Sequence, residues 1–204
     1  MSRPTSDRPS GAEAYPFETL PDYLAPGMRL LLVGINPGLY AVRQGHYFAR
    51  RTSRFWPAFS RSRLSAEARA LLGRDVLSPE DDARLLDVGI GLTDVVKVPS
   101  ANASQVTPAL FAEWAPCLLA RIEALQPRVA AFHGVTAYRA FARHALGEPK
   151  PTHRLGAQER RIGETRLFVV PNPSPANAHF RPEDQIAWYD RLAEFLDVCG
   201  RAVT

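Results

Sequence analysis

Arg29 to Gly34 (RLLLVG) is apolar without alternation, the pattern of a short strand buried on both faces. Gly89 to Val96 and Arg128 to His133 (RVAAFH) read the same way. Arg160 to Thr165 and Arg166 to Val170 read as a hairpin or bent strand pair around Gly163-Glu164. Helical spacing fills the intervals. Ser53 to Leu64 turns Phe55, Phe59 and Trp56 inward, and Ser78-Pro79-Glu80 starts a helix running to about Asp87. Thr107-Pro108 opens another with Leu110, Trp114, Leu118 and Ile122 at core spacing, Val135 to Leu146 follows the third strand, and Pro182 to Val198 closes the chain.

Strands alternating with helices predict an α/β domain with a mainly parallel sheet and helices on both faces. No repeat or interdomain linker interrupts it. Residues 15–204 are expected to form one domain behind a polar, Pro/Ser-rich leader at 1–14, which reads as disordered and not as a signal peptide. In such sheets the functional crevice lies beyond the carboxyl ends of the strands. The loops after Gly34, Val96 and Val170 therefore hold the candidate chemistry.

Asn36-Pro37-Gly38 ends the first strand. Pro37 and Gly38 suit the central positions of a type II turn. Pro37 also pushes Asn36 toward an extended backbone, which fixes the direction of its carboxamide, and Gly38 lets a ligand approach the main chain. The other loop, Pro171-Asn172-Pro173-Ser174-Pro175-Ala176-Asn177, carries three alternate prolines, so it is stiff. Asn172 and Ser174 supply neutral hydrogen-bonding groups there.

Composition narrows the partners. The chain has 204 residues, 46% of them hydrophobic, enough for a full core. No apolar run approaches the ~20 residues needed to span a bilayer, so a cytoplasmic protein is expected, nucleoid-associated if bacterial. Lys97 and Lys150 are the only lysines, so nearly all positive charge is arginine. GC-rich codon usage explains that bias, and so does a polyanionic partner held by bidentate arginine contacts. Cys117 and Cys199 are too few for a zinc or iron–sulfur site and are expected to be buried or inert. The histidines show no metal-ligand spacing. No metal and no cofactor is expected.

The loops together resemble the mismatch-specific uracil-DNA glycosylases and related thymine-DNA glycosylases of the uracil-DNA glycosylase superfamily. GINPG at 34–38 looks like the family's first motif and NPSP at 172–175 like its second. GHYFARRTSRFW at 45–56 matches the loop with a stacking phenylalanine, and GLTDVVKVPSA at 91–101 fits the second strand. The resemblance spans about residues 28 to 198. It implies a three-layer αβα sandwich and a monofunctional hydrolase that cuts the N-glycosidic bond of uracil in DNA, typically opposite guanine. The expected partner is double-stranded DNA bearing uracil or a mismatch, with single strands also in range, and the enzyme is expected to be a monomer.

A base inside a duplex is unreachable, so it must be flipped into a pocket. By resemblance Phe48 stacks on the flipped pyrimidine and Asn36 positions the attacking water. Backbone amides from Ile35 to Gly38 are suited to the leaving base's developing negative charge. Where the narrowly uracil-specific branch has a blocking tyrosine and a histidine, this chain has Gly38 and Asn172. With Ala41 small as well, a roomier, neutral pocket is expected. Where the bacterial mismatch enzymes carry a Gly-Leu-Ser-Arg-type wedge, this chain has Pro175-Ala176-Asn177-Ala178-His179, and Ala176 is a weak wedge. Arg50, Arg51, Arg54, His179 and Arg181 are the candidate phosphate contacts, each also compatible with a solvated surface.

Asp94 stands apart from the other acids, such as Asp81, Asp82, Asp184 and Asp190, which are expected on polar helix faces. It lies within the strand from Gly89 to Val96, whose end is expected to border the crevice. It is either a carboxylate that accepts a proton or stabilises a sugar cation, or one that hydrogen-bonds the loop from Ser100 to Ser104. Two rival functions remain: a non-catalytic binder of damaged DNA, and a nucleotide-binding α/β enzyme. The latter is disfavoured because Gly34 and Gly38 do not form G-x-G-x-x-G.

Overall fold

The computed structural model describes residues 15–151 and 154–201. The expected leader at 1–14 lies outside the described residues. Among the described residues five strands form one sheet: β1 (Leu30–Gly34), β2 (Ile90–Asp94), β3 (Val129–His133), β4 (Gly156–Ile162) and β5 (Thr165–Val170). Their order is β2-β1-β3-β5-β4. All pairings are parallel except the antiparallel edge pair of β4 and β5.

Among the described residues there are six α-helices: α1 (Leu39–Gln44), α2 (Phe55–Arg61), α3 (Ala66–Leu72), α4 (Pro108–Leu125), α5 (Val135–His144) and α6 (Pro182–Arg201). The alternation of side chains along β1 shows why there are three layers. Leu30 and Leu32 pack with Phe55, Phe59 and Leu192 on one face. Leu31 and Val33 pack with Phe111, Leu118 and Phe141 on the other. Continuous apolar strands are what such two-sided burial requires. The fold is the expected αβα sandwich.

Several local expectations change. Gly38 has φ −77° and ψ 143° and precedes α1 as its N-cap, so Pro37-Gly38 is not a type II turn, which needs positive φ at the glycine. Short α1 and α3 carry too few turns to show an apolar period, which is why the sequence did not reveal them. The segment after Ser78 is a 3₁₀ helix, Pro79–Val88, with a reciprocal Ser78–Asp81 cap. Asp81 and Asp82, expected on a polar face, are buried. Strand β4 begins at Gly156, four residues before the expected start. Cys117, expected to be buried or inert, is exposed, and Cys199 is half-buried. Among the described residues no helix is long and apolar enough to cross a membrane.

Candidate active site

The carboxyl ends of β1, β2 and β5 converge on one cavity of about 290 Å³. Asn36 and Gly38 line it from the loop after β1, Ala41 from α1, Phe48 and Arg50 from the loop between α1 and α2, and Asp94 from the end of β2. Asn172, Ser174, Pro175 and Ala176 close it from the loop after β5. Residues the sequence did not single out also line it, notably Leu20, Tyr40, Tyr47 and Asn102. Ile35, Arg51, Arg54, Asn177, His179 and Arg181, all expected at the site, do not reach its wall.

Asn36 is held by its nitrogen. Nδ2 donates to the Val98 carbonyl at 3.0 Å, to Ser100 Oγ at 2.8 Å and to its neighbour Pro37 carbonyl at 3.2 Å. Carbonyls cannot donate, so the amide orientation is forced. Ser100 gives its own proton to the Asn102 carbonyl at 2.8 Å, so it accepts from Asn36. The side-chain oxygen of Asn36 is left as an acceptor. It can orient a water and is too weak a base to deprotonate one.

Fewer main-chain donors face the cavity than the motif suggested. Pro37 has no N–H, and the Leu39 N–H is engaged by the Ser100 carbonyl at 3.0 Å. Ile35 packs against the inner core and its carbonyl accepts from Val96 N–H. Asn36, Pro37 and Gly38 line the cavity, and Gly38 can do so only through its backbone.

Phe48 lies flat on Phe55, with ring centroids 4.1 Å apart and planes 15° from parallel, and meets the His133 edge at 5.3 Å. Its backbone has φ 55°, a strained value for an aromatic residue. The neighbouring Tyr47 enforces it. Tyr47 N–H donates to Asp82 Oδ2 at 2.8 Å, its carbonyl accepts from Trp56 Nε1 at 3.0 Å, and its hydroxyl donates to the Pro21 carbonyl at 3.0 Å. Buried Asp82 is therefore an anchor for the aromatic platform.

Asp94 is 5% exposed and its Oδ2 has no hydrogen-bond partner. Burial pushes its carboxyl up to about 7; the Lys97 cation pulls it down and Asp22 pushes it further up. The expected hydrogen bonds from Asp94 to the 100–104 loop are not formed among the described residues. Beneath it lies a buried polar group absent from the sequence-based picture. Fully buried Lys97 donates to Asp22 Oδ1 at 2.8 Å and to Tyr47 Oη at 3.2 Å. Thr93 Oγ1 donates to Asp22 at 2.6 Å, and Tyr15 Oη donates to the same carboxylate at 2.7 Å. Burial disfavours the Asp22 anion, but Lys97, Thr93 and Arg121 outweigh it and hold its carboxyl below the usual range. Lys97 thus stands behind cavity-lining Tyr47, committed to an ion pair.

The second loop is braced from within. Asn172 Oδ1 accepts the Ser174 N–H at 2.9 Å, and Asn177 Nδ2 donates to the Asn172 carbonyl at 3.0 Å. Arg54, expected to reach phosphate, donates from one guanidinium nitrogen to the carbonyls of Asn177 and Phe180. Its backbone N–H donates to the Pro173 carbonyl at 3.0 Å. Arg50, Arg51, His179 and Arg181 are exposed. His133, given no role in the sequence reading, is buried against Phe48; its Nε2 lies 3.0 Å from Tyr189 Oη. Burial pushes its pKa down to about 3, so the ring is neutral near pH 7.

An NMR structure of a candidate uracil DNA glycosylase from Methanosarcina acetivorans superposes with a TM-score of 0.51 at 19% identity, over 87% of this chain and 98% of that one. At that identity the likeness shows a shared fold. The sequence itself carries the signature described as the Uracil DNA glycosylase superfamily across residues 21–193, which takes in both motif loops, the phenylalanine platform and Asp94. By that match the chain belongs to the uracil DNA glycosylase superfamily.

Proposed function

We propose that the protein is a monofunctional DNA glycosylase that removes uracil from DNA and leaves an abasic site, in the manner of the mismatch-specific and thymine-DNA glycosylase branch. The supporting observation is the single cavity shared by Asn36, Phe48, Asp94 and Asn172 at the sheet's carboxyl edge. A flipped pyrimidine lies against Phe48, whose far face is already backed by Phe55. Asn36 Oδ1 orients the water. Asp94, ionised above about pH 7, accepts the water's proton and stabilises the positive sugar. As the glycosidic bond breaks, its electron pair leaves with the base, whose charge meets the Gly38 amide and the neutral Asn172 loop. The water oxygen then completes the sugar carbon.

Glycine at 38 and alanine at 41 put no bulk on the wall at those two positions, which leaves room for a 5-substituent and brings larger damaged or mismatched pyrimidines within range. The small Ala176 provides little reading of the opposing base, so uracil is removed opposite A as well as G, and from single strands. The ion-paired Lys97 does not line the cavity, which fits hydrolysis without a Schiff base.

The test is excision by the purified chain from oligonucleotides carrying uracil in single strands and opposite A or G. EDTA should leave the rate unchanged and strand cleavage should require later alkali. A borohydride-trapped covalent complex, or binding to damaged DNA without any excision, would count against the proposal; the latter would favour the non-catalytic binder.

A further inference from the structure

We propose that Leu39 and Tyr40, at the head of α1, fill the gap that a flipped nucleotide leaves in the duplex. This rests on the proposal that the cavity receives a flipped base. Extruding a base unstacks its neighbours, and proteins that unstack DNA insert an apolar side chain to compensate. The loop after β5 is poorly equipped for that task. Its exposed tip offers Pro175 and Ala176, and Asn177 is tied back to the Asn172 carbonyl.

The opposite lip has what that loop lacks. Leu39 is 46% exposed and Tyr40 36% exposed, and Tyr40 lines the cavity. Among the described residues the other large exposed apolar ones, Leu71, Val76 and Val198, belong to other segments and do not line the cavity. The pair is rigidly mounted. Leu39 N–H donates to the Ser100 carbonyl and Ser100 N–H to the Pro37 carbonyl, so the same loop that fixes Asn36 fixes the head of α1. Exposed Arg43 in the last turn of α1 and Arg50 on the cavity wall supply cations suited to the flanking phosphates. An exposed leucine and tyrosine beside a polyanion's binding cleft match the base stack better than they match water.

The test uses a duplex with a tetrahydrofuran abasic analogue and 2-aminopurine beside it, so binding and unstacking are read without catalysis. Wild-type protein should alter the probe's fluorescence on binding. Leu39→Ser and Tyr40→Ser should each bind roughly tenfold more weakly, the size of one lost stacking contact, and the double variant should abolish the fluorescence change. Val198→Ser should behave as wild type. The proposal is overturned if both lip variants bind and report normally, if the effect instead follows Pro175→Gly or Ala176→Gly, or if wild-type protein leaves the probe unchanged. Protein that binds and reports as expected yet excises no uracil would remove the glycosylase assignment and leave the wedge standing.

Discussion

The carboxylate of Asp94 occupies the space that a side chain at Gly34 would fill. The two residues are partners in the parallel register of β1 and β2, and a Cβ built on Gly34 collides with Asp94 Oδ1. The glycine that opens GINPG therefore admits the acid. Gly34→Ala should displace Asp94 and lower single-turnover excision about as far as Asp94→Asn does. The double variant should be no slower than either single one, because both remove the same group. Additive losses would show that Gly34 serves something else.

The pH profile tests the acid directly. If the Asp94 anion drives the reaction, excision should rise with pH through about 7 and then level off, and Asp94→Asn should be slow with no such rise. Stability supplies a second readout with a definite sign. The folded-state pKa lies above the ordinary carboxyl value, so the native state binds more protons between about pH 4 and 7 and loses stability as pH rises through that window. Asp94→Asn removes this penalty. Its melting temperature relative to wild type should be higher at pH 8 than at pH 4.

Phe48→Ala should lower excision roughly 5- to 150-fold, the range of ~1–3 kcal/mol for one aromatic–base stack. Alanine, unlike glycine, gains no freedom at the positive φ of this position, so the loss reports the ring more than the backbone. Phe48→Leu should recover little, since it restores apolar bulk without a flat face. Wild-type rates in either variant would take Phe48 out of the substrate contact.

Arg54 illustrates what the sequence could and could not convey. An arginine beside a pocket loop, in a basic protein, suggests phosphate, and nothing local says otherwise. Its carbonyl partners lie more than 120 positions away. The strands were legible because burial on both faces writes itself as an unbroken apolar run, and Asn36 and Phe48 because their motif loops follow one strand in order. The Gly34–Asp94 register, the Asp82 anchor under Tyr47 and the Asp22–Lys97 pair were not, because each joins distant segments that share no period. Arg54→Gln should therefore loosen the loop after β5: faster proteolysis between residues 172 and 181, weaker excision, and a salt dependence of DNA binding close to wild type. A marked fall in that salt dependence would return Arg54 to the phosphate contacts.

Lys97 carries the last prediction. Its ammonium is fully buried between Asp22 and Tyr47, and its charge is what pulls the Asp94 carboxyl down against burial. Lys97→Met leaves Asp22 buried without its principal cation, and breaking such a pair costs about 3–5 kcal/mol, so the melting temperature should fall clearly. Lys97→Arg keeps the charge and offers a variant that folds better. In the methionine variant that still folds at lower temperature, the midpoint of the excision–pH profile should move to higher pH, because Asp94 has lost its favourable cation. The arginine variant should hold the midpoint near wild type while losing some stability to crowding. Equal midpoints in all three proteins, with only stability changing, would confine Lys97 to the scaffold.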